Sequence, residues 1–390
     1  MDVKIAYSPL NDAALLLVAE ALGFYDSEGL SVSLSREPNW SNIRDKLAYG
    51  ICDAAHVLAP VPLAAAAGLG PSMGRIICPM ALGANGNAVL ISNELKERLE
   101  SDGQPLGSLT QSTRLLAREV ERRRRDGLGR LVFAVPLTYS AHHFVLRHWV
   151  AAAGLDPERQ IQWVVVPPSR MADMVKDGVI DAYTSGSPWP QTGQLLGRGV
   201  VLFSDPEFWS LKPEKVLAVR AGWAEANPEA NLGLVRALLR AAKWASDPHN
   251  HDDLIRLLAR RIYVGAPIEA ISLALRPAND PRGGAGLILD PQTVTFPWIS
   301  HAKWFLGQIV KWGWASAEQD FDTVARTLYR PDIWREAAAP LGLSLPVADE
   351  KDEGGKPGPW QLPATPHDIT MPPNVLFDGG VFKCAELLKM

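Results

Sequence analysis

Cysteine is scarce in this chain. Cys52, Cys78 and Cys384 are the only three in 390 residues, an odd number spaced too widely for a disulfide framework, so small buried thiols in a reducing compartment are expected. No apolar run reaches the ~20 residues of a membrane-spanning helix, and no membrane insertion is expected. Met1 leads straight into the strand-like VKIAYS with no basic, apolar and small-residue leader pattern, which sets the expectation of a cytoplasmic protein. Charge of one sign is not in excess either: a formal net charge of −4 argues against direct binding of nucleic acid, where Lys and Arg must neutralise phosphates.

Catalytic signatures are missing as well. There is no phosphate-binding P-loop, no Gly-x-Ser-x-Gly elbow, no His-Glu-x-x-His, and no Gly-x-Gly-x-x-Gly after a strand. The run His249 to Asp253 holds metal-ligating residue types but falls between two helices, where a polar loop is expected. These absences predict a protein that is not an enzyme and needs neither cofactor nor metal.

What the chain does have is a repeat. GLSVSLSREPNWSNIRDKLAYGICDAAHV is echoed by GLDPERQIQWVVVPPSRMADMVKDGVIDAYTSGSPW. Each copy passes through a strand, a polar turn (Trp40-Ser41-Asn42, then Pro167-Pro168-Ser169) and an amphipathic helix, and closes on Gly-x-x-Asp-Ala before a second strand. Gly50 and Gly178 are read as helix caps, each three residues before an aspartate, Asp53 and Asp181. Two βαβ units in a chain too long for one core predict two similar α/β lobes with a ligand cleft between them, at the carboxyl ends of the strands. Residues 94 to 130 read as charged helix, with Arg122 to Arg125 as a solvated helix end. The stretch from 346 onward, rich in Gly, Pro and charge, reads as an extended surface segment.

Anion binding is the chemistry best supported. A small anion entering a cleft loses its hydration, so the site must supply fixed N–H donors and about one positive charge. Helix N-termini provide part of this. Trp40 and His142 both stand at loop-to-helix edges. Core packing for the tryptophan, and helix capping for His142 or His143, are the alternatives that the residues alone leave open.

At these positions the chain resembles a known family. LSREPNWSNIRDKLAYGICDAAHVLAPVPLA, NGNAV, AHHFVLRHWVAAAGLDP, VVVPPSRMADMVKDGVIDAYTSGSPW, FWSLKPEKVLAV and FPWISHAKWFLGQIVKWG are similar to the nitrate- and bicarbonate-binding proteins of ABC uptake systems, in order and to about residue 345. Within them the likeness is greatest to cytoplasmic nitrate/nitrite sensors of the NasS kind. The resemblance implies a type II periplasmic-binding-protein-like pair of lobes: residues 1–88 with 208–345 as the first, 89–207 as the second, 346–390 as a C-terminal extension. It implies Trp40, Asn87, His142 and Lys215 as anion contacts, His142 being preferred to His143 because the motif sets its histidine five residues before an arginine, here Arg147. It implies a sensor of nitrate or nitrite acting on a response-regulator-type, NasT-like RNA-binding antiterminator, with the substrate-binding subunit of an anion ABC transporter as the alternative. Two departures stand out: Ser187 and Pro190 occupy Gly-Ser-Pro-Trp-Pro where the family commonly has Gly-Glu-Pro-Trp-Asn, and Asn87 is one methylene shorter than the glutamine of some members. Thiamine-pyrimidine synthesis enzymes share the general fold, but their cysteine-rich segment has no match in three scattered cysteines.

Overall fold

The computed structural model describes residues 1–280 and 282–384. The chain divides into two compact units, Met1–Asn85 with Trp209–Gly265 and Ile288–Met390, and Gly86–Phe208 with Ala266–Leu287. Each is built on a five-stranded mixed sheet.

The first sheet contains β1 (Asp2–Tyr7), β2 (Ser31–Arg36), β3 (Ala54–Leu58), β4 (Ile76–Ala81) and, from much later in the chain, β10 (Lys215–Arg220), in the order β2-β1-β3-β10-β4. β1 pairs in parallel with β2 and β3, and β10 is antiparallel to both β3 and β4. Composition explains the positions. AAHVL is buried along its whole length, as an interior strand covered on both faces requires; IICPMA is an edge strand that is equally buried because the helices Phe321–Leu328 and Pro331–Ala338 pack against it, whereas the serine-interleaved SVSLSR suits the half-exposed opposite edge.

The second sheet contains β5 (Asn87–Ser92), β6 (Leu131–Val135), β7 (Ile161–Val165), β8 (Ala182–Gly186) and β9 (Gly199–Ser204), in the order β7-β6-β8-β5-β9. This is the first sheet's plan repeated, with β5 as the antiparallel insert between β8 and β9. The repeat read from sequence is therefore β2–helix–β3 and β7–helix–β8. Its Gly-x-x-Asp has a physical cause. Gly50 and Gly178 end their helices at φ +71° and +67°, a left-handed conformation that costs glycine little. Asp53 and Asp181 then lock the returning strand: each carboxylate accepts from a backbone N–H of the neighbouring parallel strand, β1 or β6, Lys4 at 3.0 Å and Val132 at 2.8 Å.

Several boundaries differ from the sequence reading. The first-copy helix begins at Trp40, capped by Asn39, whose side chain accepts from Asn42 N–H at 2.8 Å, so the turn lies just before Trp40. The second-copy helix begins at Pro168, a residue suited to the first helical position. Residues 94–130 hold two helices, Asn93–Leu99 and Leu109–Arg125. The arginine run closes the second beside Glu119, Glu121 and Asp126, where cations favour the helix dipole. Ala266–Leu287 clusters with the second unit, not with the first where the sequence set it, because Gly86 N–H binds Ala285 O and the Gln191 and Gln194 amides bind the Gly283 and Arg282 carbonyls. Asn87 also lies in the second unit, since it opens β5.

The C-terminal residues 346–384 are not a loose surface extension. They form short paired strands within the first unit and bury Glu353, which is bound by Ser300 Oγ at 2.8 Å, Asn374 Nδ2 at 2.9 Å and the Lys351 ammonium. Asn374 in turn accepts from the Trp209 indole, and Ser210 exchanges hydrogen bonds with Pro373 and Val375. Among the described residues no helix is long and apolar enough to cross a membrane. Cys52, Cys78 and Cys384 are buried free thiols.

Candidate functional site

In the first unit the carboxyl ends of β1 to β4 and the first residue of β10 share one edge, because Lys215 pairs with Leu58, the last residue of β3, and Val216 pairs with Ala81, the last of β4. In open α/β sheets that edge is where ligands bind. Trp40 opens the helix that follows β2, and Asp12 lies in the short 3₁₀ turn Asn11–Ala13 that follows β1.

These residues form one buried cluster. The Lys215 ammonium, 1% exposed, lies 2.7 Å from Asp12 Oδ2 and 3.1 Å from Glu214 Oε1. Asp12 Oδ1 is 3.1 Å from His56 Nε2, and Lys212 pairs with the other oxygen of Glu214. The Trp40 ring covers the group, 5.5 Å from the His56 ring and 5.8 Å from the Lys215 ammonium, within cation–π range. Burial pushes the Asp12 carboxyl up, but Lys215 and His56 beside it outweigh this and hold the group at about 2. Burial pulls Lys215 down, and Asp12 and Glu214 overcome this and raise it above the ordinary lysine value. Both groups are therefore charged at neutral pH. The expectation of one unaccompanied cation needs correcting: Lys215 stands between two carboxylates of its own unit.

Beside this paired network are polar atoms with no partner. Trp40 is 3% exposed and its indole N–H makes no hydrogen bond; Asn11 is 1% exposed and neither Oδ1 nor Nδ2 makes one. A buried donor or acceptor left unmade costs about 1–3 kcal/mol, so both residues have hydrogen-bonding capacity that the described residues leave unused.

In the second unit Asn87 opens β5 opposite Gly186, the last residue of β8, and so holds the place that Lys215 holds in the first sheet. Its backbone and side-chain N–H groups donate to Asp205 Oδ2 at 3.0 and 2.8 Å, so part of its amide is spent on a carboxylate. His142 is 1% exposed in the first turn of the helix Ala141–Ala152, which Ser140 caps by accepting from His143 N–H. His143 has a structural place: its Nδ1 lies 2.9 Å from the Thr138 carbonyl and its ring 4.5 Å from Trp163. Burial lowers it to about 3, with nearby Arg147 adding to the fall, so it is neutral. Ser187, where the family commonly has glutamate, turns its hydroxyl onto Gln191 Oε1 at 3.0 Å.

Trp40 and Lys215 thus meet in the first unit, while Asn87 and His142 occupy the corresponding strand edge of the second. The sequence reading missed Asn11, Asp12, His56 and Glu214. A signal for Asn11 was present: it stands twelve residues before Gly23, as His142 stands twelve before Gly154, and both glycines close their helices at positive φ. Carrying the repeat further toward the N-terminus matches Asn11 to His142. His56, within an apolar strand, has no such signal.

Comparison with known proteins agrees with this plan. The model of the NMT1-like family matches residues 1–259. The bicarbonate transport ATP-binding protein CmpC of Synechococcus elongatus is 31% identical over 352 residues, 88% of this chain but 50% of that protein, so the chain spans about half of that relative's length. The nitrate/nitrite binding protein NrtA of the same organism is 29% identical over 371 residues, covering 90% of this chain and 80% of that one. The crystal structure of the periplasmic nitrate-binding protein NrtA from Synechocystis superposes with a TM-score of 0.83 at 24% identity, over 99% of this chain and 96% of that chain, which shows the periplasmic-binding-protein fold. By its sequence and its paired five-stranded sheets, this chain belongs to the NMT1-like family.

Proposed function

We propose that this chain binds a small monovalent oxyanion, nitrate or nitrite foremost, as the substrate-binding component of an ABC-type import system. The observation that carries the reading is the pair of unsatisfied buried groups, the Trp40 indole N–H and the Asn11 amide, beside the Lys215 ammonium. Neutral donors next to one ammonium already shared with carboxylates suit a singly charged planar anion and leave a dianion underpaired. Asn87 and His142 are the contacts proposed from the second unit. No catalytic step is assigned. Relatives named for nitrate and bicarbonate transport favour this role over the sensor role that the sequence resemblance suggested. The sensor reading, with a cytoplasmic location and an antiterminator partner, remains the second hypothesis.

Calorimetry with nitrate, nitrite, bicarbonate and sulfate is the test, on the wild type and on Trp40→Phe, which keeps an aromatic ring at the position and removes the indole N–H. Nitrate or nitrite should bind, sulfate should not, and the variant should lose about tenfold in affinity, or about 1.4 kcal/mol. Sulfate binding more tightly than nitrate, or a variant with unchanged affinity, rejects the site. Pull-down of a cytosolic partner that dissociates on adding nitrate decides for the sensor; nitrate-dependent stimulation of a permease decides for the transport component.

A further inference from the structure

At the other end of β10, about 17 Å along the strand from Lys215, the first unit holds a cavity. It is about 270 Å³ in volume, is open to solvent on one side, and is bordered by the helices Ala221–Ala226, Pro228–Ser246 and Pro331–Ala338. That is slightly below the ~300–1,000 Å³ of pockets for drug-sized ligands, so its occupant is small. Ile77, Leu232 and Ile333 give it apolar walls, while Glu225, Glu229, Asp332 and Glu336 line it with four carboxylates against the single guanidinium of Arg330. Asp332 is paired with Arg330 and Glu225 with Arg75. Among the described residues, Glu229 and Glu336 form no ion pair.

Helix electrostatics account for only part of this charge. Glu229 and Asp332 stand in the first turns of their helices, where an acid is favoured. Glu225 and Glu336 stand near the C-terminal ends of theirs, where an acid is disfavoured. A second and independent observation points to a ligand: Asn231 lines the same cavity, is 3% exposed, and its Oδ1 has no hydrogen-bond partner. An acceptor buried without a donor, in a cavity whose unpaired groups are carboxylates, calls for a cation that carries N–H bonds.

We propose that this cavity binds a short aliphatic primary amine, and a diamine in preference to a monoamine. An ammonium has three donors and no acceptor. One N–H satisfies Asn231 Oδ1, the others reach carboxylate oxygens, and the methylenes lie on Ile77, Leu232 and Ile333. A second ammonium answers the second unpaired carboxylate.

The test is calorimetric titration of the full chain at low salt with 1,4-diaminobutane, butylamine and tetramethylammonium. The diamine should bind at millimolar concentration or below, butylamine about fivefold or more weakly, and tetramethylammonium, which has charge but no N–H, not at all. The exposed-site variant Glu229→Gln/Glu336→Gln should fold normally and weaken the diamine about tenfold or more, and Asn231→Ala should weaken both amines. No binding of the diamine up to about 20 mM, tetramethylammonium binding as well as the amines, or full affinity in the glutamine variant overturns the proposal.

Discussion

Lys215 opens β10 and Asn87 opens β5, and the two strands are the same antiparallel insert in two sheets of the same order. The chemistry they carry is different. In the first unit that position holds an ammonium tied to Asp12 and Glu214, with His56 behind and Trp40 above. In the second it holds an amide tied to Asp205. The repeated backbone fixes where a site residue stands but leaves its charge open.

The largest effect should come from removing the charged insert residue. Lys215→Ala leaves Asp12 and Glu214 buried without their shared cation and should destabilise the protein by about 3–5 kcal/mol. Asn87→Ala removes the side-chain amide donor from Asp205, leaving the backbone N–H in place, and should cost about 1–3 kcal/mol. Urea titrations of the two variants side by side measure the contrast, and equal losses would mean that the two edges are energetically alike.

Next is pH. Asp12 has its folded pKa lowered from 3.8 to about 2. A lowered carboxylate pKa contributes stability that is present above the unfolded value and is lost as pH falls through the folded value. The first unit should therefore lose about 2 kcal/mol between pH ~4 and pH ~2 from this group. Glu353, held at about 2 although burial raises it, because Lys351 and His301 pull it down more strongly, adds a loss over a similar window. The acid limb of the stability curve of Asp12→Asn should be shallower by that amount.

A smaller effect, and one that separates stability from binding, is expected at Asn11. Asn11→Leu removes an unsatisfied buried amide, so the ligand-free protein should be as stable as the wild type or slightly more so, while nitrate affinity falls about tenfold. Thermal melts with and without nitrate read both quantities; a destabilised variant with full affinity would place Asn11 in the core and not in the site. The smallest effect tests the repeat itself. Gly50→Ala and Gly178→Ala each force an alanine into positive φ and should cost about 1 kcal/mol each. Gly50→Ala should cost slightly more, because its Cβ would stand 3.0 Å from the Arg220 guanidinium carbon, while nothing lies within 4 Å at Gly178.

Much of the fold was legible because its signals are local. Glycine at positive φ followed by an aspartate that locks the next strand is written within four residues, and it appears twice. The two-sheet plan followed from it, and Trp40 and Lys215 do meet. Other features required contacts between distant residues. Asp12 and His56 are brought to Lys215 by the adjacency of β1, β3 and β10, which no short-range pattern encodes, although Glu214 is its neighbour in sequence. Gly- and Pro-rich composition suggested that residues 346–384 would lie loose. Buried Glu353 and Asn374 instead tie them to Trp209 and Ser210 through a hydrogen-bond network that composition does not reveal.

The late arrival of β10 has a consequence for biosynthesis. β4 ends at Ala81 and β10 begins at Lys215, so about 130 residues separate neighbours in one sheet. At 5–20 residues per second a ribosome takes roughly 6–26 s to cover that interval, and meanwhile β3 and β4 each present an unpaired edge, the kind of surface that recruits other chains. Every strand of the second sheet has left the ribosome's active centre before the strand bearing Lys215 is made. The lysine therefore enters the protein on the segment that closes the first sheet, so a nascent chain cannot form the charged cluster before all ten strands of both sheets have been synthesised.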